Sequence, residues 1–312
     1  MKKHCCLWLI TGLLLCLGQS LFATVNVVPT KELSSITISK GVPLNQPTDI
    51  TVGAKGKIYL LDGVNNRVIV FSASLGYLSQ FGRKGHKKGE LWFPVGIASD
   101  RHGNIYVADS QNHRINIYDE QGIFESSFDI EWKEPQMPAD PTDLVIDDDT
   151  GNCYVVDNDN HRIMVYSKEG KLNFQWGFKG RRKGEFRYPF TIAMDSQRNL
   201  YIVDVINSRV QVFNAKGEFL NQIGRWGITP GTFYRPKGIS INNDKVYVSG
   251  SYVGYGNIQV FSLAGEFLGV LGNIDKKALK FNTPMGLYVY EETNKLLVVE
   301  QLANRVRIFQ LQ

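Results

Sequence analysis

One repeat constrains this chain more than any other feature. The segment Asp62-Gly63-Val64-Asn65-Asn66-Arg67-Val68-Ile69-Val70-Phe71 returns as Asp109-Ser110-Gln111-Asn112-His113-Arg114-Ile115-Asn116-Ile117-Tyr118. Further copies run from Asp157 to Tyr166 and from Asp204 to Phe213. Glu300 to Phe309 has Glu for Asp, and Ser249 to Phe261 keeps only the ends of the pattern. Their first residues lie 47, 48, 47, 45 and 51 positions apart. A period of about 48 residues is the size of a propeller blade, a unit that cannot bury its apolar face alone and must stack on its neighbours.

Each copy reads in the same order: a Pro, a short apolar strand, a Gly or Asn turn, an Ile-Tyr-Val type strand, the Asp-to-Arg loop, an alternating strand, then a Gly turn and a fourth strand. Gly217-Glu218-Phe219-Leu220 and Gly265-Glu266-Phe267-Leu268 show the last turn well. Short β-branched and aromatic runs punctuated by Gly and Asn leave no room for helices, so the chain is all-β. Radial closure is what spares such a sheet set long open edges. The sixth copy reaches Gln312 just after its third strand, whereas Glu32 to Lys40 precedes the first copy and reads as a strand through Ser34–Ser39, ending in Gly41. That strand is expected to join the segment from Met285 to Leu311 and close the ring.

Lys2 and Lys3, the apolar run from Cys5 to Leu17 and the small or polar residues up to Ala23 read as a secretory signal peptide over residues 1–23. The repeats then occupy residues 24–312. A lipid anchor at Cys16 is opposed by Leu15, which stands where a lipoprotein signal has Gly or Ala. Cys5, Cys6 and Cys16 leave with the signal, so Cys153 cannot form an internal disulfide; it occupies the place of Ile105 and reads as a buried strand thiol. The expected destination is the periplasm or the exterior.

The run from Pro94 to Tyr118 contains Pro94-Val95-Gly96-Ile97, then Gly103-Asn104-Ile105-Tyr106-Val107-Ala108-Asp109, then Asn112-His113-Arg114-Ile115-Asn116-Ile117-Tyr118. It resembles the NHL repeat, in an exported bacterial type of protein. The resemblance covers six copies and implies a six-bladed β-propeller of four-stranded blades. NHL-like propellers include RNA-binding domains, protein-binding modules and a zinc-dependent amidating lyase, so the fold is implied more firmly than an activity. In the amidating lyases the zinc-binding histidines lie near the start of the innermost strands. Here those places hold Thr48, Val95, Thr142, Phe190, Lys237 and Met285, which speaks against that chemistry.

The pairs Asp62 and Arg67, Asp109 and Arg114, Asp157 and Arg162, and Asp204 and Arg209 recur around the ring, and a recurring pair reads as blade architecture. His113 and His161 fall short of a zinc site and read as solvent-exposed loop histidines. Asp49 and Asp143 open two innermost strands, with Lys237 near the matching place in a third. They could hold a cation or polar ligand at the channel mouth, or bond to adjacent backbone. No metal or cofactor is expected.

Charge gives a binding expectation. The loops joining blades share a face with the Asp-to-Arg loops. They carry +3 (Gly82 to Pro94), −3 (Phe128 to Pro141), +4 (Gly177 to Pro189), +2 (Gly224 to Pro236) and +2 (Gly272 to Pro284). The face is therefore expected to be basic, through Arg83, Lys84, Lys87, Lys88, Lys179, Arg181, Arg182, Lys183 and Arg187, interleaved with Trp92, Phe186, Tyr188, Trp226, Phe233 and Tyr234. Alternatively, these aromatics pack between blades under a solvated loop set. The fifth copy replaces its Asp-to-Arg loop with a glycine-rich stretch carrying Tyr252 and Tyr255, which suits a ligand or partner contact. Export removes nucleic acid as a partner class. What remains is an envelope or extracellular protein, an anionic glycan or a lipid headgroup, bound by a non-enzymatic monomeric scaffold. The alternative is a hydrolase or lyase working at the channel mouth.

Overall fold

The computed structural model describes residues 25–39, 41–242, 244–252 and 255–312; the expected signal peptide lies outside them. Four antiparallel strands form each blade, in chain order from the axis outward. Blade 1 is Asp49–Val52, Ile58–Asp62, Arg67–Phe71 and Tyr77–Phe81. Blade 2 is Ile97–Ser99, Ile105–Asp109, Arg114–Tyr118 and Phe124–Asp129. Blade 3 is Pro141–Asp147, Asn152–Asp157, Arg162–Tyr166 and Leu172–Trp176. Blade 4 is Pro189–Met194, Leu200–Asp204, Arg209–Phe213 and Phe219–Ile223. Blade 5 is Ile239–Ile241, Lys245–Tyr252, Tyr255–Ser262 and Phe267–Gly272, and blade 6 begins with Pro284–Tyr290, Lys295–Glu300 and Arg305–Leu311.

Burial follows position in the blade. In blades 1, 2 and 4 every residue of the second and third strands is buried, whereas the fourth strands of blades 1 and 3 alternate between half-buried and exposed, as does that of blade 4 up to the buried Ile223. A strand covered on both faces reads as a continuous apolar run, and an outer strand as an alternating one. The core is divided among the blade interfaces: Tyr59, Leu61, Val68 and Val70 of blade 1 pack on Ile97, Ile105, Val107 and Tyr118 of blade 2. Cys153 sits inside one such layer, and burial pushes its thiol up. Gly82, Gly177 and Gly224 leave the fourth strands with left-handed φ of 81°, 96° and 68°. A Cβ at these glycines would meet Leu91, Phe186 or Phe233 at under 3 Å, so glycine lets each loop fold down onto its own buried anchor.

The ring closes through the N-terminal strand, Val27–Ile36. Thr30 to Ile36 run antiparallel to Val306–Leu311 as the fourth strand of blade 6. Val27 to Pro29 run parallel to Val270–Gly272 of blade 5, which joins the two blades into one eight-stranded sheet. Residues 34–39 carry the clearer sequence alternation, yet the strand starts earlier and stops at Ile36; Ile38–Ser39 turn back on Val42–Pro43 in a separate ribbon. Pro29 lies at the parallel end, beside Gly272, and a bulge between Glu32 and Ser34 interrupts the pattern. The strand is held by the Glu32–Arg307 ion pair at 2.7 Å, by the Thr30 hydroxyl donating to the Gly272 carbonyl at 2.9 Å, and by Ile36 in the core against Val306 and Ile308.

Removing residues 27–36 will expose the third strand of blade 6 and produce aggregation or loss of cooperative unfolding. Ile36→Ala alone will cost about 2–5 kcal/mol in denaturant titrations.

Candidate functional site: the loop face and the channel

The loop face is organised by a buried clamp. Asp62, Asp109, Asp157, Asp204 and Glu300, all fully buried, end the second strands of five blades. One oxygen of each aspartate accepts the Nε–H of Arg67, Arg114, Arg162 or Arg209 at 2.8–2.9 Å, and Glu300 accepts that of Arg305. The other oxygen of the clamp carboxylate accepts a backbone N–H of the loop entering the same blade, from Asn45, Trp92, Asp140, Arg187 or Asn282. The far end of the guanidinium then donates to loop carbonyls: Arg114 to His86, Lys87 and Glu90, and Arg209 to Arg182 and Glu185. Burial outweighs the neighbouring guanidinium for Asp109 and Asp204, whose carboxyls sit above the ordinary range.

His113 and His161 are not the exposed loop histidines expected from sequence. They share a left-handed turn position with Asn66, Ser208 and Asn304, with φ between 50° and 58°. That conformation aims the side chain across to the next blade. Asn66 Oδ1 accepts the Phe93 N–H, His161 Nδ1 accepts the Tyr188 N–H at 3.2 Å, and His113 Nδ1 meets the Ala139 carbonyl. His161 is only 6 % exposed, and burial pushes its imidazole down. The two rings serve different blade interfaces and do not converge.

Arg83, Lys84, Lys87, Lys88, Lys179, Arg181, Arg182 and Lys183 are exposed, and Arg187 and Trp92 are half-buried. Arg83 is partly neutralised by Glu90 at 3.0 Å, and Trp92 packs edge-on to His86. These residues belong to two loops, before blades 2 and 4, which the acidic loop from Phe128 to Pro141 separates. The continuous basic arc is formed instead by the loops entering blades 4, 5 and 6. It bears Phe178 and Trp226, 62 % and 68 % exposed, together with exposed Tyr188, Tyr234 and Ile274. Phe186 and Phe233, by contrast, are fully buried anchors. Phe178 and Ile274 escaped the sequence reading, although each lies one or two residues after the loop-opening glycine. In blade 5 the Tyr255 ring lies 4.7 Å from the Lys280 ammonium, while the Tyr252 side chain lies outside the described residues.

The innermost strands line a cavity of about 620 Å³. Asp49 and Asp143 stand at its loop-face end; Asp148, Asp149, Glu291 and Glu292 ring the other. Innermost strands are sheet edges with unpaired backbone groups. Asp49 Oδ2 accepts the Ile97 N–H at 2.9 Å, Asp143 Oδ2 the Ile192 N–H at 2.8 Å, and Ser240 Oγ the Val289 N–H at 2.9 Å, each reaching the next blade. Burial raises the Asp49 carboxyl to about 7, and burial with the charge of Asp49 raises that of Asp143. Lys237 joins neither carboxylate; its ammonium lies 4.2 Å from the centre of the Phe190 ring. Among the described residues, no histidine lines the cavity. Among the described residues, no cluster of three or more His, Cys, Asp or Glu is placed to hold a metal.

The NHL repeat family model matches residues 91–118, and a family model described as a 6-bladed beta-propeller matches residues 191–306. The chain is a six-bladed β-propeller, and the segment leading into and through its second blade is similar to the NHL repeat. It is 42 % identical to Protein lin-41 of Caenorhabditis elegans over 52 residues, 17 % of this chain and 4 % of that one. It is 33 % identical to human NHL repeat-containing protein 3 over 88 residues, 26 % of this chain and 25 % of that one. These matches span a quarter or less of the relatives' lengths. A streptogramin B lyase structure superposes with TM-score 0.60 at 15 % identity, covering 88 % of this chain and 81 % of that chain. A Bacteroides thetaiotaomicron protein of unknown function gives 0.66 at 15 %, with 92 % and 75 % covered. At such identity the likeness is one of fold.

Asp109→Ala will leave Arg114 buried without its carboxylate and cost about 3–5 kcal/mol in denaturant unfolding. For Asp49 the sign is opposite to that of an ordinary paired carboxylate. With its folded pKa raised, its contribution is full below the unfolded value and is lost as pH rises through about 7. Asp49→Asn keeps an oxygen for the Ile97 N–H, so its Tm relative to the native chain will rise from about pH 4 to about pH 7 and level off above that.

Proposed function

We propose that this propeller is an exported, non-enzymatic scaffold that binds an acidic protein or an anionic glycan of the envelope or exterior through its inter-blade loop face. The observation that carries this reading is the arc of three consecutive loops with charges of +4, +2 and +2, in which Phe178, Tyr188, Trp226 and Tyr234 stand exposed among the cations. Contiguous exposed aromatics rimmed by one sign of charge suit recognition of a partner of opposite charge. Arg209 reaches from its buried clamp to carbonyls of the loop entering blade 4, and Arg307 to the Lys280 carbonyl of the loop entering blade 6, so little ordering of these loops is needed on binding. Protein or glycan recognition fits an NHL propeller exported by the signal read at residues 1–23. No helix among the described residues is long and apolar enough to cross a membrane.

A catalytic reading would place the chemistry in the channel. Asp49 and Asp143 are the candidate acids there, and both are engaged by backbone N–H groups of neighbouring blades.

Lys179, Arg181 and Arg182 are exposed, so reversing all three to Glu will change Tm by no more than a degree or two. Retention on immobilised heparin, an anionic-glycan probe, will fall so that the variant elutes at clearly lower salt, and raising salt will weaken the native chain likewise. Retention that ignores both changes would refute the reading.

A further inference from the structure

Blade 5 departs from its neighbours where the clamp should be. Its second and third strands pair so that Gly250 faces Asn257, in the register that joins Asp109 to Arg114 and Asp204 to Arg209. The sequence places Ser249 in the aspartate column; the pairing shows that the column falls on Gly250, because the turn before this second strand is one residue shorter. Ser249 is otherwise engaged, accepting the Gly238 N–H at 2.7 Å and donating to the Pro284 carbonyl at 2.9 Å.

Nothing in the backbone calls for glycine at 250. It lies outside the left-handed region, and a Cβ there would meet only Asn257 Oδ1 at 3.6 Å and Phe233 Cδ1 at 3.9 Å, ordinary contacts. Blade 5 thus carries no carboxylate in this column, although a Cβ would fit there. Asn257 is 8 % exposed, and its Oδ1, beside Gly250, has no hydrogen-bond partner among the described residues. The loop group that the missing carboxylate would have met is also identifiable. Arg187 donates its N–H to Asp204 while its carbonyl accepts the Ile206 N–H; in blade 5 Tyr234 is the counterpart, its carbonyl accepting the Ser251 N–H. The Tyr234 N–H has no clamp carboxylate to meet.

Resting on the anionic-partner reading above, we infer that blade 5 takes from its partner the carboxylate that the other blades carry themselves: an Asp or Glu side chain of an acidic protein enters beside Gly250. It accepts the Tyr234 N–H and, once the Asn257 amide has turned over, its Nδ2–H. An amide turn of this kind reverses which group faces the site without moving the backbone, and here it breaks no bond of Oδ1. Burial leaves that amide costly until it is paired. Tyr234 and Ser251 stand exposed beside the site, and the flanking loops carry +2 each. The hairpin is braced against the next loop by Gly256–Phe281 hydrogen bonds of 2.8 and 3.0 Å.

The probe is acetyl-tetra-aspartyl amide, titrated into the 15N-labelled mature chain while the Tyr234 backbone amide and the Asn257 side-chain amide are followed by NMR. Both resonances should shift and saturate together. Gly250→Asp supplies the carboxylate within the chain and should weaken binding at least tenfold. Asn257→Leu keeps the glycine, adds no charge and should weaken it as well. Equal affinity in all three proteins, with shifts confined to Lys179, Arg181 and Arg182, would overturn this site and leave the basic-face reading standing. No binding of the probe at all would overturn this site, while the heparin retention decides the basic-face reading separately. A crystal soaked in the peptide that shows only an ordered water between Tyr234 and Asn257 would also overturn it.

Discussion

The buried carboxylate–guanidinium clamp is the interaction on which the loop face depends. A charge taken out of water needs a partner and further hydrogen bonds to offset its desolvation, and here each group finds several. Asp109 accepts bonds from Arg114, Asn112, Asn116 and the Trp92 backbone, and Arg114 spends its remaining donors on loop carbonyls. The net gain in stability is modest, as the raised carboxyls of Asp109 and Asp204 indicate. The clamp ties each entering loop to its blade, while the loop shape also rests on the buried anchors Leu91, Phe186 and Phe233: the loops entering blades 2, 4 and 5 share bridges at Lys84–Leu91, Lys179–Phe186 and Trp226–Phe233, although blade 5 has no clamp.

Much of this was legible in the sequence because a repeat averages out local ambiguity. A single Ile-Tyr-Val-Ala-Asp run could be a strand anywhere; six at a period near 48 residues fix blade number, strand order and the carboxylate column. The edge-filling strand was legible from its alternation, though its true span was masked by Pro29 and the bulge after Glu32. Side-chain direction was not legible. His113 and His161 look like surface loop residues until the left-handed turn that carries them is known, and Phe186 and Phe233 cannot be told from Phe178 and Trp226 without the fold of the loop. The one-residue shift in blade 5 was hidden because Ser249 resembles a weakened aspartate, whereas strand pairing identifies Gly250.

The two ends of the axis differ in charge for separate reasons. The loop face is basic because exposed lysines and arginines outnumber the acids in the loops entering blades 2, 4, 5 and 6, where Glu90 and Glu185 bond to their own loops. The channel is acidic because the open edges of innermost strands need acceptors, which Asp49 and Asp143 provide, and because Asp148, Asp149, Glu291 and Glu292 ring the far mouth. An anionic partner is drawn to one face of the disc and repelled by the other, so orientation is selected before contact.

The closing strand also has a consequence for time. Val27–Ile36 is synthesised before blade 1, and Arg305–Leu311, which it must flank, only after blades 1 to 5. Contacts between segments so far apart in sequence carry a large loop-closure cost and form late. Blades 1 to 4 can mature while the ring is still open, but the eight-stranded sheet cannot assemble until nearly all of the chain is available. Its early strand must therefore be kept from pairing elsewhere until the last blade has formed, which makes this segment the natural point for a holding chaperone to act.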